Sequence, residues 1–162
     1  MLANPRPTSA KKNMGTGGKA GDAANVAHGA PRILLVDDDP LTANTFLSAL
    51  TRLGYDVTGF TNSIQALMHF QEHPDEYDLV LTDQKMPGLE GDAMAERILG
   101  VRPDIPIILC TGFTDSVTDF EARAKGIREF LIKPFSLEVL ADTIRRALVN
   151  GTSAKPQEEV SH

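Results

Sequence analysis

The chain has 162 residues, long enough for one domain of ordinary size with its own core. Its 16 Lys+Arg against 22 Asp+Glu give a formal charge of -6, which excludes a broad basic footprint for nucleic acid. A single cysteine, Cys110, excludes an intramolecular disulfide. No apolar stretch reaches the ~18 residues of a membrane span and no signal-peptide core is present, so the expected location is the cytoplasm with no membrane contact.

Charge is unevenly spread. Residues 1–31 carry Arg6, Lys11, Lys12 and Lys19 against Asp22, whereas 32–149 carry 11 basic and 19 acidic residues. The first 31 residues are rich in Gly, Ala, Lys and Pro, with only Met1, Leu2, Met14 and Val26 as larger apolar side chains. So few apolar groups do not offset the entropy of ordering, and a disordered leader or linker remnant is expected.

From Arg32 the pattern changes. Ile33-Leu34-Leu35-Val36 is a continuous apolar run ending in Asp37-Asp38-Asp39, the pattern of a strand buried on both faces with carboxylates at its carboxyl end. Asp39 is a good N-cap and Pro40 suits the first helical position. Phe46, Leu47, Leu50 and Leu53 then mark a helix that Gly54 ends. Residues 55–60 read as a second strand. Asn62 or Ser63 caps a second helix to about Gln71, with Ile64, Leu67, Met68 and Phe70 as its apolar side.

Leu79-Val80-Leu81 predicts a third buried strand that delivers Asp83 to its carboxyl end, followed by turn chemistry in Met86-Pro87-Gly88 and Gly91. Gly91 to Arg102 reads as a helix with Met94, Ala95, Ile98 and Leu99 facing inward, stopped by Pro103. Ile105 to Cys110 is a fourth strand ending at Thr111-Gly112, in which Cys110 reads as a reduced, buried thiol. Residues 115–125 form a weaker helix carrying Val117, Phe120 and Ala124, a candidate moving part. Glu129 to Ile132 leads into Lys133-Pro134. Ser136 caps a last helix with Leu137, Leu140, Ala141, Ile144 and Leu148 on one face, ending at Asn150-Gly151 before a polar tail, 151–162, expected to be disordered.

Strand and helix thus alternate five times, which gives a doubly wound α/β domain over 32–150, a parallel sheet with helices on both faces. In such a sheet ligands bind beyond the carboxyl ends of the strands. Those ends supply Asp37 and Asp38, Asp83, Thr111 and Lys133. Three carboxylates in one cleft repel unless a cation or protons intervene, and oxygen-only ligation is the preference of Mg²⁺. The set suggests a divalent metal, an anion held jointly by metal and Lys133, and a carboxylate able to act as nucleophile.

In VDDD at 36–39, LTDQKMPGLEG at 81–91, CTG at 110–112 and FLIKPF at 130–135 the chain resembles a response-regulator receiver domain, the phospho-acceptor of two-component phosphorelays. The resemblance covers about residues 31–150 and implies a flavodoxin-like (βα)5 sandwich with sheet order 2-1-3-4-5. It implies that Asp83 accepts a phosphoryl group from a histidine kinase or histidine phosphotransfer protein, and that the domain catalyses its own phosphorylation and dephosphorylation without being a conventional enzyme. Asp38, Asp83 and the backbone carbonyl of Lys85 would bind Mg²⁺, or Mn²⁺ in its place, with Asp37 acting through water. Lys133 would pair with Asp83 and then with the phosphoryl oxygens. Thr111 and Phe130 would be the switch pair; Phe130 lacks the hydroxyl of the Tyr often found there. Lys85 and Phe113 would tune the lifetime of the acyl phosphate, and the Lys133-Pro134 bond would be cis.

The expected output is a downstream protein bound at the face of the fourth helix, fifth strand and fifth helix, with no direct nucleic-acid contact and with phosphorylation-dependent homodimerisation open. Other readings are the receiver of a hybrid histidine kinase, to which LCTGF looks similar, and a phosphate store. A haloacid-dehalogenase-like phosphatase would want a second Asp two residues after the nucleophile, where this chain has Lys85. A flavin module would meet an acidic first loop that repels the cofactor phosphate. His28, His69, His73 and His162 show no ligand spacing and read as surface residues.

Overall fold

The computed structural model describes residues 29–112, 115 and 118–152. Five strands, β1 (Arg32–Val36), β2 (Asp56–Phe60), β3 (Leu79–Asp83), β4 (Ile107–Thr111) and β5 (Glu129–Ile132), pair in parallel in the order β2-β1-β3-β4-β5. Five helices connect and follow them: α1 (Pro40–Arg52), α2 (Ser63–Glu72), α3 (Gly91–Val101), α4 (Asp119–Ala124) and α5 (Leu137–Thr152). This is the expected flavodoxin-like alternation. A short 3-10 turn, Pro74–Glu76, was not anticipated from the sequence.

The apolar runs in β1, β3 and β4 are continuous because both sheet faces are covered. Side chains alternate across a strand, so Leu34, Val36, Val80, Ile107 and Leu109 join one core with residues of α2, α3 and α4. Ile33, Leu35, Leu79, Leu81, Ile108 and Cys110 join a second core with Leu50 of α1 and Leu140, Ile144 and Ala147 of α5. Each such side chain contributes roughly 1.5–3 kcal/mol on burial, so the three central strands form the rigid frame on which the loops stand.

Helix termini follow their caps. Asp39 accepts the Thr42 N–H at 3.3 Å and the Thr42 hydroxyl at 2.5 Å, with Pro40 at the first helical position. Asn62, rather than Ser63, caps α2 by accepting the Gln65 N–H at 2.9 Å. Ser63 instead points inward and donates to the Leu89 carbonyl at 2.7 Å.

Several predicted helix faces are corrected. The buried stripe of α2 is Ser63, Ala66, Leu67 and Phe70, the i, i+3, i+4, i+7 spacing, which leaves Ile64 and Met68 exposed. Leu53 is exposed because it is the C-cap, where the chain leaves the helix. The fourth helix starts at Asp119, not 115, because Thr118 accepts the Glu121 N–H at 3.1 Å. That phase turns Ala122 inward with Ile127, leaves Ala124 exposed and leaves Phe120 81% exposed, while Val117 lies outside the described residues. In α5 the buried residues are Leu140, Thr143, Ile144 and Ala147, Leu148 packs half-buried against the same core, Leu137 is exposed, and the helix runs past Gly151 to Thr152. His69 is half-buried rather than fully on the surface: it packs on Phe60 at 5.3 Å and shares a 2.9 Å hydrogen bond with the Tyr77 hydroxyl. No helix among the described residues is long and apolar enough to cross a membrane.

Candidate functional site

The hydrogen-bond ladder continues one residue past the ends of several strands. Asp37 N–H donates to the Phe60 carbonyl at 3.1 Å, Gln84 N–H to Cys110 at 2.9 Å, and Lys133 N–H to Thr111 at 2.7 Å. The backbone that carries Asp37, Asp83, Thr111 and Lys133 is therefore held by the sheet. Asp37 and Asp83 are only 5% and 6% exposed, Thr111 is buried, and Asp38 is exposed.

The carboxylates of Asp37, Asp38 and Asp83 each place an oxygen within 4.8 Å of the others. Lys133 Nζ lies 2.5 Å from Asp83 Oδ1. Two like charges about 4 Å apart repel by roughly 4 kcal/mol at an effective dielectric of 20, and one ammonium does not neutralise three carboxylates. The titration behaviour agrees. Burial, followed by the charges of Asp83 and Asp38, pushes Asp37 up to about 6, although the Asp39 N–H at 3.0 Å works against the shift. Burial also raises Asp83, and outweighs the hydrogen bond and charge of Lys133. Burial alone would lower Lys133; its hydrogen bond to Asp83 and the charges of Asp83 and Asp37 win and hold the ammonium above its ordinary range.

A divalent cation suits this site. The donors are hard carboxylate oxygens from three residues, at least one of them open to water, and their mutual repulsion is what a dication relieves. Lys85 lies in the turn after β3 with its side chain in solvent. Phe130 is half-buried, sits opposite Leu109 in the register of β5 with β4, and packs against the α2–α4 core. The Lys133-Pro134 peptide bond is cis. Phe113 lies outside the described residues. Asp39, engaged with Thr42, is a cap.

Residues 33–145 match the response regulator receiver domain family. The chain belongs to that family. The receiver is similar to the response regulator receiver protein CpdR of Brucella abortus, 36% identical over 118 residues that make up 73% of this chain and 97% of that one. It is 34% identical to the C4-dicarboxylate transport transcriptional regulatory protein DctD of Rhizobium meliloti, again over 73% of this chain but only 25% of the relative. The chain thus spans a quarter of the one regulator and nearly all of the other. Among solved structures, a receiver domain from Clostridium thermocellum superposes with a TM-score of 0.73 at 28% identity, covering 76% of this chain and 98% of that one. The receiver is accordingly a component of two-component signalling.

Sequence reasoning missed three residues of this receiver. Gln84, next to Asp83 and 1% exposed, donates from its carboxamide to Asp92 at 3.0 Å and Glu90 at 3.1 Å, and accepts the Asp92 N–H at 2.9 Å. Asp92 in turn accepts from Lys125 Nζ at 2.6 Å, at the C-cap of α4. Gln84 lies between Asp83 and the turn residues Met86-Pro87-Gly88, and Asp92 lies inside a predicted helix, so neither stood out in the sequence. No local signal marks Lys125, 33 residues on, as their partner.

Proposed function

We propose that Asp83 is the phospho-acceptor of this receiver, taking a phosphoryl group from a histidine kinase or histidine phosphotransfer protein. The observation that carries the reading is the 2.5 Å Lys133–Asp83 pair inside a three-carboxylate cluster. In-line transfer asks the protein for position and charge neutralisation more than for covalent help. An oxygen of the Asp83 carboxylate attacks phosphorus, the phosphorus–nitrogen bond of the donor phosphohistidine breaks, and that nitrogen keeps the electron pair. Lys133 holds the acceptor oxygen beforehand and the phosphoryl oxygens afterwards. Asp37, Asp38, Asp83 and the Lys85 carbonyl would hold Mg²⁺, which when bound offsets the charge of the carboxylates and of the incoming phosphoryl group.

The product adds about -1.5 to -2 charges beside Thr111. Thr111 turns its hydroxyl toward a phosphoryl oxygen, and Phe130 follows inward. The signal leaves through the face of α4, β5 and α5, where Phe120 and Ile132 are exposed and available to a partner protein in the cytoplasm.

The test is intact-protein mass after incubation with acetyl phosphate and Mg²⁺, beside Asp83→Asn and an EDTA control. The expected result is one added phosphoryl group in the wild type, and none in the variant or in EDTA. Addition that persists in Asp83→Asn would overturn the assignment.

A further inference from the structure

The segment between β3 and α3 carries Lys85, whose carbonyl belongs to the ligand set proposed above, and it is closed by one side chain. Gln84 uses all the hydrogen-bonding groups of its carboxamide except one oxygen lone pair. Its Nε2 donates to Glu90 Oε1 and Asp92 Oδ1, and its Oε1 accepts the Asp92 N–H. The main chain closes the same turn, since Gly91 N–H donates to the Gln84 carbonyl at 2.9 Å. Residues 84–90 are therefore pinned where they leave the sheet and where they enter α3. Buried Met86 and Leu89 fix the middle of the turn. A buried carboxamide without partners is costly, so the clip has one well-defined arrangement.

The clip does not end at α3. The second carboxylate oxygen of Asp92 takes the ammonium of Lys125 at 2.6 Å, and Lys125 caps a helix of only six residues. The pair is partly shielded from water, with side-chain exposures of 30% for Lys125 and 12% for Asp92.

We infer that Gln84 is a positioning residue of the phospho-acceptor site, and that Asp92 ties the turn it closes to Lys125 at the end of α4. The inference rests on the phospho-acceptor reading above. Residues that orient metal ligands without touching the metal carry about ten- to a hundredfold in affinity. Gln84 holds the turn that presents Lys85 and the backbone next to Asp83, and belongs to that class. Through Asp92 the same contact restrains α4.

The experiment compares the wild type with Gln84→Met, which keeps side-chain length and apolar packing, and with Asp92→Asn, which keeps the oxygen that accepts from Gln84 and removes the charge that holds Lys125. Mg²⁺ binding is measured by calorimetry, and backbone exchange by hydrogen–deuterium mass spectrometry on the metal-free proteins. Gln84→Met is expected to weaken Mg²⁺ about tenfold and to speed exchange in 85–91. Asp92→Asn is expected to keep Mg²⁺ affinity within about twofold and to speed exchange in α4. Unchanged Mg²⁺ affinity in Gln84→Met overturns the positioning role, and unchanged α4 exchange in Asp92→Asn overturns the tie. If Gln84→Met lacks a cooperative melt, Gln84→Glu takes its place with the same expected loss, because it keeps the acceptor for the Asp92 N–H and loses both donors. A wild-type protein that takes up no phosphoryl group from acetyl phosphate counts against the phospho-acceptor reading itself, a result distinct from either variant outcome.

Discussion

A Cβ on residue 91 would stand 2.1 Å from the carbonyl oxygen of Asp83. Glycine at this position lets the first turn of α3 rest directly on the backbone of the residue proposed to accept phosphate. The neighbouring Leu109 Cδ1, 3.0 Å from the same point, closes off the other way out. Gly91→Ala is expected to destabilise the fold by about 3 kcal/mol, the upper range for overpacking a filled core. Urea denaturation beside the wild type measures it, and a loss below about 0.5 kcal/mol would show that α3 can shift freely.

The raised pKa of Asp37 has a definite sign. Its folded value of about 6 exceeds the roughly 3.9 of an unfolded chain, so the fold prefers the protonated acid. The penalty for ionised Asp37 is absent below about pH 4, grows between pH 4 and 6, and is complete above pH 6. Metal-free Asp37→Asn is therefore expected to be more stable than the wild type at pH 7.5 by about 1–2 kcal/mol, with the advantage gone at pH 4. Thermal melts in EDTA across that range decide it; an equal advantage at both pH values would point to packing instead.

Lys133 and a bound cation compete for the same negative charge. Lys133→Ala is expected to abolish most phosphoryl uptake, by about tenfold or more, yet to tighten Mg²⁺ by a few fold because a positive neighbour 2.5 Å from Asp83 is gone. Calorimetry and intact mass on one preparation separate the two effects. Weaker Mg²⁺ in the variant would mean that Lys133 mainly props the cluster open.

His69 titrates with the opposite consequence. Burial, and then the charge of His73, hold its pKa below the ordinary value of 6.5. The fold prefers the neutral ring, so this contribution is complete above about pH 6.5 and is lost as pH falls through the folded value. His69→Gln should flatten the acid limb of stability below about pH 6.5, as read from melting temperature against pH. An unchanged slope would place the acid sensitivity elsewhere.

The strands were legible because their apolar runs admit only burial on both faces, as Ile33 to Val36 and Leu79 to Leu81 illustrate. The strand-end groups Asp37, Asp38, Asp83, Thr111 and Lys133 were legible because topology alone brings those ends together. Helix faces were harder. Ile64 and Met68 are as apolar as Leu67, and only the hydrogen bond from Ser63 to Leu89 reveals which stripe turns inward. The Gln84–Asp92–Lys125 chain was hidden for another reason: pairing between distant polar groups depends on tertiary placement and has no periodicity to betray it.

The main-chain bond from Lys133 to the carbonyl of Thr111 sets where motion can begin. Thr111 is stitched to its neighbour strand through residue 132 by register and through residue 133 by this bond. Its hydroxyl can rotate, but its backbone is as anchored as the middle of the sheet. Past this bond the chain leaving β4 is tied to itself and no longer to the sheet, since the Gly112 N–H donates to Asp115 Oδ2 at 2.7 Å and the Asp115 N–H to the Gly112 carbonyl at 3.2 Å, while Asp83, Lys133 and Thr111 keep their spacing on the sheet.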